Sequence, residues 1–220
     1  MRGVLIHHIR IEREDIDFTS SLRMKNKEYV DRAEDLISKA LMILQPKAYY
    51  RRVEVGKINK DGIEVEGITL NSRILSSNTE NNQEIFPYVA TCGREIEDWQ
   101  KPFTDPLDVY YINKIQEMAC VRAVDKTFSL IQESYGLHDP SNVNPGSLDD
   151  WSIEEQKKLF QLMENPQKEL GMELTENCLM IPIKSLSGIL FQGKEKHINC
   201  EMCKREDCPN RRIDFRAPLK

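Results

Sequence analysis

Three cysteines near the C-terminal end are the residues of this sequence best suited to bind a metal. Cys200, Cys203 and Cys208 form the pattern C-x-x-C-x-x-x-x-C-P. The close C-x-x-C pair has the spacing of metal ligands, and a Cys-Pro ending also occurs in iron–sulfur ligand runs. The pattern therefore predicts an iron–sulfur cluster or a zinc ion. The alternative is a reduced tail whose cysteines have no role.

A tetrahedral metal site needs a fourth ligand, which must come from another part of the chain. Cys92 is the candidate, because it ends an apolar strand pattern and precedes Gly93, where another part of the backbone can approach closely. Cys178 lies in an apolar alternation and Cys120 on a long helical pattern. Both are therefore predicted to be small core residues.

Small polar residues are concentrated in the segment 144–191, which opens with a Pro-Gly turn signal and reads LTENCLMIPIKSLSG over 174–188. An ordinary core strand rarely carries so many hydroxyl, carboxylate and amide groups; they belong to Thr175, Glu176, Asn177, Ser185 and Ser187, and Gly188 follows them. A glycine in a strand often marks a bulge or the close approach of a ligand. The segment therefore predicts a binding site, and the alternative is a hairpin whose hydroxyl groups cap turns.

The order and spacing of these residues resemble the activation domain of cobalamin-dependent methionine synthase. The shared pattern is a Pro-Gly loop, a helix and a run with fixed positions; the matching residues are Pro145, Gly146, Leu174, Thr175, Glu176, Met180, Pro182, Ser185, Ser187, Gly188 and Phe191. The resemblance is close over the C-terminal third of the chain. Over the rest it extends to the order of the elements.

In that family the domain binds S-adenosylmethionine and closes over the cobalamin of a partner domain. There the oxidised cofactor is reduced by one electron and remethylated. The resemblance therefore implies an accessory module rather than a complete enzyme, with S-adenosylmethionine as ligand, cobalamin carried by a partner corrinoid protein, and an electron donor protein as a further partner. The protein would orient the reacting groups and exclude water.

The resemblance also implies which residues bind the ligand; they are Asp125, Asn142, Asn144, Pro145, Gly146, Ser147, Thr175, Glu176, Ser185, Ser187 and Gly188. Two of them depart from the family pattern R-x-x-P-G-Y, because Asn142 stands at the arginine and Ser147 at the tyrosine. The arginine serves the carboxylate of the ligand, so binding is expected to be weak. Asp125 matches an acidic residue that meets the ligand's ammonium group, and the alternative is a solvated helix charge.

Length and composition predict a single soluble domain over 1–220 with a cysteine-rich segment at 197–212. Of the 220 residues, 40% are hydrophobic and 30% charged, as is usual for globular proteins. The net charge of -5 disfavours nucleic acid and anionic membranes as partners. The sequence shows neither a membrane-spanning apolar run nor a signal peptide, so a cytoplasmic location is expected.

Apolar periodicity predicts an α+β fold, in which a twisted, mainly antiparallel sheet is flanked by helices. The main predicted elements are helices at 27–44 and 105–136, strands at 48–58 and 85–91, a loop at 138–144 and a strand pair within 174–191. Ser152 and Glu155 have the spacing of a capping box. Trp151 is a candidate docking anchor; the alternative is that it packs at the start of its own helix.

Two functions are compatible with this sequence. The first is an accessory module for the reductive reactivation of a cobalamin-dependent methyltransferase, binding S-adenosylmethionine and capping the corrinoid. The second is a small iron–sulfur or zinc protein that has kept the fold but lost S-adenosylmethionine binding, and that acts in electron transfer or assembly.

Overall fold

The computed structural model describes residues 3–6, 9–16, 26–205 and 207. Its centre is a 6-stranded sheet in which every pairing is antiparallel. Five strands follow one another across the sheet in the order β1 (Val4–Ile6), β2 (Lys47–Tyr50), β7 (Glu84–Thr91), β11 (Ser185–Phe191) and β8 (Ser141–Val143), and β3 (Val53–Glu54) also pairs with β7. With helices on both faces, the predicted α+β class is confirmed.

Helices α1 (Lys27–Leu41), α3 (Arg94–Gln100) and α4 (Pro106–Tyr135) pack together on one side of the molecule. The 30-residue helix α4 lies against β7, β2 and β11. Asp105 caps its first turn by accepting hydrogen bonds from two backbone amides, and Gly136 ends it in the left-handed region at φ 67°. The helix predicted at 105–136 is therefore confirmed, whereas the helix predicted at 27–44 ends at Leu41.

The opposite face of the sheet is covered by a small antiparallel sheet and by short helices. The small sheet contains β4 (Lys57–Asn59), β5 (Gly62–Val65) and β6 (Ile68–Leu70), and the helices are α2 (Arg73–Asn78), α5 (Gln156–Leu162) and α6 (Gln167–Leu170). Leu159, Leu162 and Met163 are buried here, with Trp151 among them. Only 2% of Trp151 is exposed, so its role as a docking anchor is wrong and the packing alternative is confirmed.

The segment 48–58, predicted as one strand, contains parts of three. β2 and β3 pair with the same strand, β7, and β4 belongs to the small sheet. The reason is topological, because the chain leaves the central sheet between Glu54 and Lys57 to form the second layer. The predicted loop at 138–144 likewise contains β8, whose three residues pair with β11.

The strand pair predicted within 174–191 is wrong, because its two halves belong to different sheets. β9 (Glu173–Leu174) and β10 (Met180–Ile181) form a two-stranded ribbon, whereas β11 lies in the central sheet between β7 and β8. Cys178 is buried as predicted, but it lies in the turn of the ribbon with φ 63° rather than in a strand.

The predicted capping box at Ser152 is also wrong. The Ser152 hydroxyl caps a 3-10 turn by accepting from the amide of Glu154, at 3.3 Å. The Glu155 carboxylate points away to Asn71, whose backbone and side-chain amides donate to it at 2.9 and 3.1 Å. One last helix, α7 (Asn199–Met202), ends the described fold. None of the described helices has the length and apolar character needed to cross a membrane.

Candidate functional site

A groove of about 280 Å³ separates the middle of α4 from the segment that enters β11. It is lined by Glu117, Cys120, Val121, Val124, Asp125, Phe128, Asn142, Ile183, Lys184, Ser185 and Leu186. Its volume is near the lower end of the range for small-molecule sites, roughly 300–1,000 Å³. A larger depression of about 390 Å³ beside α3 contains none of the residues predicted to bind the ligand.

The rim of the groove is apolar and exposed to solvent. Val121 on one side and Ile183 and Leu186 on the other are all exposed, Ile183 to 63%. Large apolar side chains exposed beside a concave site usually contact a ligand or a partner protein. The groove can therefore hold an apolar ring and remain open to a second molecule.

Charged side chains of both signs border the same groove. Asp125 and Glu117 project from α4 two turns apart, and Lys184 lies on the facing segment. Glu117 forms an ion pair with Lys114 at 3.0 Å. The arrangement offers carboxylates for a cationic group and an ammonium for an anionic group.

Cys120 is the only thiol in the lining, and its environment keeps it unreactive. Burial raises the pKa of Cys120 to about 12, and the nearby charge of Lys184 offsets this only in part. At this pKa, Cys120 is protonated at neutral pH. Because the thiolate is the nucleophilic form, the protonated thiol is a poor nucleophile. It serves as an apolar wall rather than as a catalytic group.

Beneath the groove, three polar side chains form a network in which Tyr88 and Asn144 are buried and Asn142 is half-buried. The Tyr88 hydroxyl donates to Asn142 Oδ1 at 3.0 Å and accepts from Asn144 Nδ2 at 2.9 Å. Asn144 also donates to the carbonyl of Ser187 at 2.8 Å and accepts from Asn142 Nδ2 at 3.1 Å. Burial raises the pKa of Tyr88, so its hydroxyl remains a donor. The network fixes the amide of Asn142, which lines the groove.

Gly188 makes this network possible because it leaves room above β11. A Cβ atom at this position would lie 2.5 Å from both the carbonyl oxygen of Val143 and Nδ2 of Asn144. No side chain fits there without moving β8 or the Asn144 amide. The glycine therefore allows β11, β8 and the Asn144 side chain to approach one another closely.

Comparison with known proteins gives one family. Residues 123–210 match the family described as vitamin B12 dependent methionine synthase, activation domain. Over these residues the chain is similar to the activation domain of that family. The matched region includes Asp125, β8 and β11, which border the groove, together with the three C-terminal cysteines. The resemblance proposed from the sequence is confirmed.

The activation-domain fold extends beyond the matched residues. The chain is similar to a solved structure titled "Crystal Structure of the MetH Reactivation Domain bound to AdoHcy", with 15% sequence identity and a TM-score of 0.70. The similarity covers 90% of this chain and 81% of the other, and at this identity it shows the shared fold. No curated protein matches the sequence.

In this activation-domain fold the predicted binding residues separate into three groups. Asp125, Asn142 and Ser185 line the groove. Asn144 and Gly188 lie in or against the network beneath it. The remaining residues lie in other parts of the fold.

The third group consists of residues that do not line the groove. Ser187 faces the opposite layer, where its hydroxyl donates to Gln156 Oε1 at 3.2 Å. Thr175 and Glu176 lie in the turn of the β9–β10 ribbon, where the Thr175 hydroxyl accepts from the Leu179 amide at 3.0 Å.

The Pro-Gly loop contains Pro145, Gly146 and Ser147. It packs against the layer on the far side of the central sheet, which Ser187 also faces. The amide of Gly146 donates to the carbonyl of Trp151 at 2.7 Å, and the side chain of Ile153 packs beneath the glycine. Gly146 and Ser147 are exposed to solvent, as expected for small residues of this loop.

Several groove residues were not predicted from the sequence. Glu117, Val121 and Asp125 are spaced four residues apart and therefore share one face of a helix. That spacing could have identified the first two once Asp125 had been chosen. Lys184 and Leu186 carry no such signal, because the sequence predicts them only as parts of a strand pair.

The described cysteines among those predicted to bind a metal lie in different environments. Cys92 is fully buried in the core beside α1 and α3, and burial raises its pKa. Cys200 and Cys203 are half-buried, in α7 and at its C-terminal end. Cys208 lies outside the described residues. Within the ranges that the structure describes, no group of three or more metal-binding side chains occurs, and the metal site stays a prediction.

Proposed function

We propose that this protein is an activation module that binds S-adenosylmethionine in the groove between α4 and β11 and presents it to the cobalamin of a partner corrinoid protein. The observation that carries the proposal is the convergence of Asp125, Asn142 and Ser185 on one open groove inside the region that matches the family. The similarly folded reactivation domain is bound to AdoHcy, as its title states, which supports a ligand of this class.

The chemistry of the lining fits S-adenosylmethionine. This molecule combines a flat adenine, a sulfonium, an ammonium and a carboxylate. Val121 and Leu186 offer apolar surface for the adenosine, while Asp125 and Glu117 offer negative charge for the cationic groups. Lys184 offers a positive charge for the carboxylate. Since the Asn142 amide is uncharged, Lys184 is our candidate for the part that arginine plays in the family pattern.

The openness of the groove fits a partner that carries the cobalt. When bound, S-adenosylmethionine supplies the methyl group, the partner's corrinoid receives it, and an electron donor protein supplies the required electron. The protein binds and orients the methyl donor, and its exposed residues Val121, Ile183 and Leu186 exclude water when the partner covers them. In this proposal the protein is a component of a methyl-transfer system and not a complete enzyme.

Ligand binding is tested by titration calorimetry with S-adenosylmethionine. Asp125→Ala removes the acidic groove residue and should weaken binding by tenfold or more, since a charge-assisted hydrogen bond contributes about 1.5–3 kcal/mol. Glu133→Ala, two turns further along the same helix and exposed, is the matched control and should bind like the unchanged protein. Equal affinities of the two variants would show that the ligand does not meet Asp125.

Reactivation is tested with a cobalamin-loaded corrinoid protein, a one-electron reductant and S-adenosylmethionine. Addition of this chain should convert the cob(II)alamin spectrum to that of methylcobalamin. The Asp125→Ala variant should slow the conversion in proportion to its loss of affinity. If the unchanged protein binds no S-adenosylmethionine at millimolar concentration and does not alter the spectrum, the alternative of a metal protein without this ligand is favoured.

A further inference from the structure

The segment that follows β11 returns along the outer edge of β8. The backbone amide of His197 donates to Ser141 Oγ at 2.8 Å, and this hydroxyl donates to the carbonyl of Glu195 at 3.4 Å. The ring Nε2 of His197 lies 3.0 Å from Asn199 Oδ1. Because β8 is the last strand of the central sheet, these contacts hold residues 195–199 against an edge that no further strand of the described fold covers.

From this position Asn199 reaches the network beneath the groove. Its Nδ2 donates to Asn144 Oδ1 at 3.2 Å. The same oxygen accepts from Asn142 Nδ2 at 3.1 Å, and the other end of the Asn144 amide is held by Tyr88 and Ser187. Asn144 is therefore held at both ends of its amide. Asn142 is the member of this hydrogen-bonded network that lines the groove.

We propose that Asn199 is a positioning residue that sets the orientation of the Asn142 amide in the ligand groove, acting through Asn144. The route is short and partly buried, with two hydrogen bonds that share one acceptor oxygen. An amide held in one orientation offers a fixed donor and acceptor, which reduces the ordering cost of ligand binding. The consequence for the ligand rests on the proposed function, whereas the orientation of Asn142 does not.

The orientation is tested without any ligand. Side-chain amide resonances of Asn142 and Asn144 are compared by NMR in the unchanged protein, in Asn199→Ala and in Asn199→Asp, whose carboxylate cannot donate. Lys204→Ala is the control, because Lys204 lies in the same segment, is 80% exposed and pairs only loosely, at 3.7 Å, with the fully exposed Asp149. Both Asn199 variants should shift the Asn142 amide, and the control should not. An unmoved Asn142 amide in folded Asn199 variants overturns the proposal.

The consequence for binding is tested by a double-mutant cycle. Asn199→Ala should weaken S-adenosylmethionine binding about two- to tenfold, as expected for one neutral hydrogen bond. In an Asn142→Ala background the same change should have no further effect, because the group that it positions is gone. Additive losses would mean that Asn199 acts by another route. Absence of binding by the unchanged protein would defeat the proposed function, and the amide resonances would still decide the role of Asn199.

Discussion

At the scale of single residues, Glu155 has the spacing of a capping box but binds a residue that is distant in the sequence. Its carboxylate accepts two hydrogen bonds from Asn71 and forms an ion pair with Lys158 at 2.6 Å. Burial acts to raise the pKa of Glu155, but the hydrogen bonds from Lys158 and Asn71 outweigh it, so the pKa lies below its ordinary value. The carboxylate thus joins the start of α5 to the end of β6 instead of capping its own helix.

Glu155→Gln should lower the free energy of unfolding by about 1.5–3 kcal/mol at pH 7, because hydrogen bonds to a charged acceptor are lost. A lowered folded-state pKa means that this contribution is present above the unfolded pKa of about 4.3 and is lost as the pH falls through the folded value. Urea unfolding at pH 7 and at decreasing pH should therefore show a shrinking difference from the unchanged protein. Glu154→Gln, exposed beside it, is the control. A difference that stays constant through the acid range would contradict the assigned role of the carboxylate.

At the scale of elements, β11 is the strand on which the candidate site depends. It pairs with β7 along its whole length and with β8 at its C-terminal end. Its alternation places Leu186 and Gly188 toward α4 and the groove, and Ser187 and Ile189 toward the opposite layer. The strand therefore contributes to both sides of the sheet, and only one of those sides has the groove.

Gly188→Ala should lower the free energy of unfolding by about 1–3 kcal/mol, the usual cost of overpacking a close contact. The added methyl would meet the carbonyl of Val143 and the amide of Asn144 at 2.5 Å, so β8 must move and the Asn142 amide with it. Ligand affinity should fall together with stability. Gly56→Ala is the matched control, since its nearest contact is 3.3 Å at an exposed position. An unfolding curve for Gly188→Ala that matches the control would rule out the tight packing.

At the scale of the whole molecule, two layers cover the two faces of one sheet. The helical layer supplies the wall of the groove through α4, and the sheet supplies its opposite wall through the start of β11. The segment with Cys200 and Cys203 reaches the same region from the edge of β8. The groove, the amide network and the cysteine-bearing helix α7 are thereby brought together from distant parts of the chain.

The metal prediction belongs to this scale, because it requires cysteines from separate segments. Protein purified without oxygen should contain about one zinc per chain, or iron with sulfide and a visible absorption band. Changing Cys200 and Cys203 to serine should abolish the metal. The core position of Cys92 makes Cys92→Ser a separate test: a full metal content in that variant would remove Cys92 as a ligand and leave a three-cysteine site. Absence of metal from the unchanged protein would refute the prediction.

The amino-acid sequence by itself determined the features that are local along the chain. The length and caps of α4 follow from apolar spacing, Asp105 and Gly136, which act within one turn of the helix ends. The fixed spacings between Pro145 and Phe191 were enough to indicate the family. The fold class followed from the mixture of element types, which needs no knowledge of how the elements pair.

Tertiary structure decided which of the candidate residues come together. The run 174–188 looks like one continuous alternating segment in the sequence. In the structure, however, its first half forms a separate ribbon and its second half belongs to the central strand β11. Pairing partners for β8 and β11 come from more than 40 residues away, and no local preference specifies them. The same holds for Asn199 and Asn144, which are 55 residues apart and meet only because the chain returns along β8. Which polar group lines the groove and which one supports it is therefore a result of long-range packing.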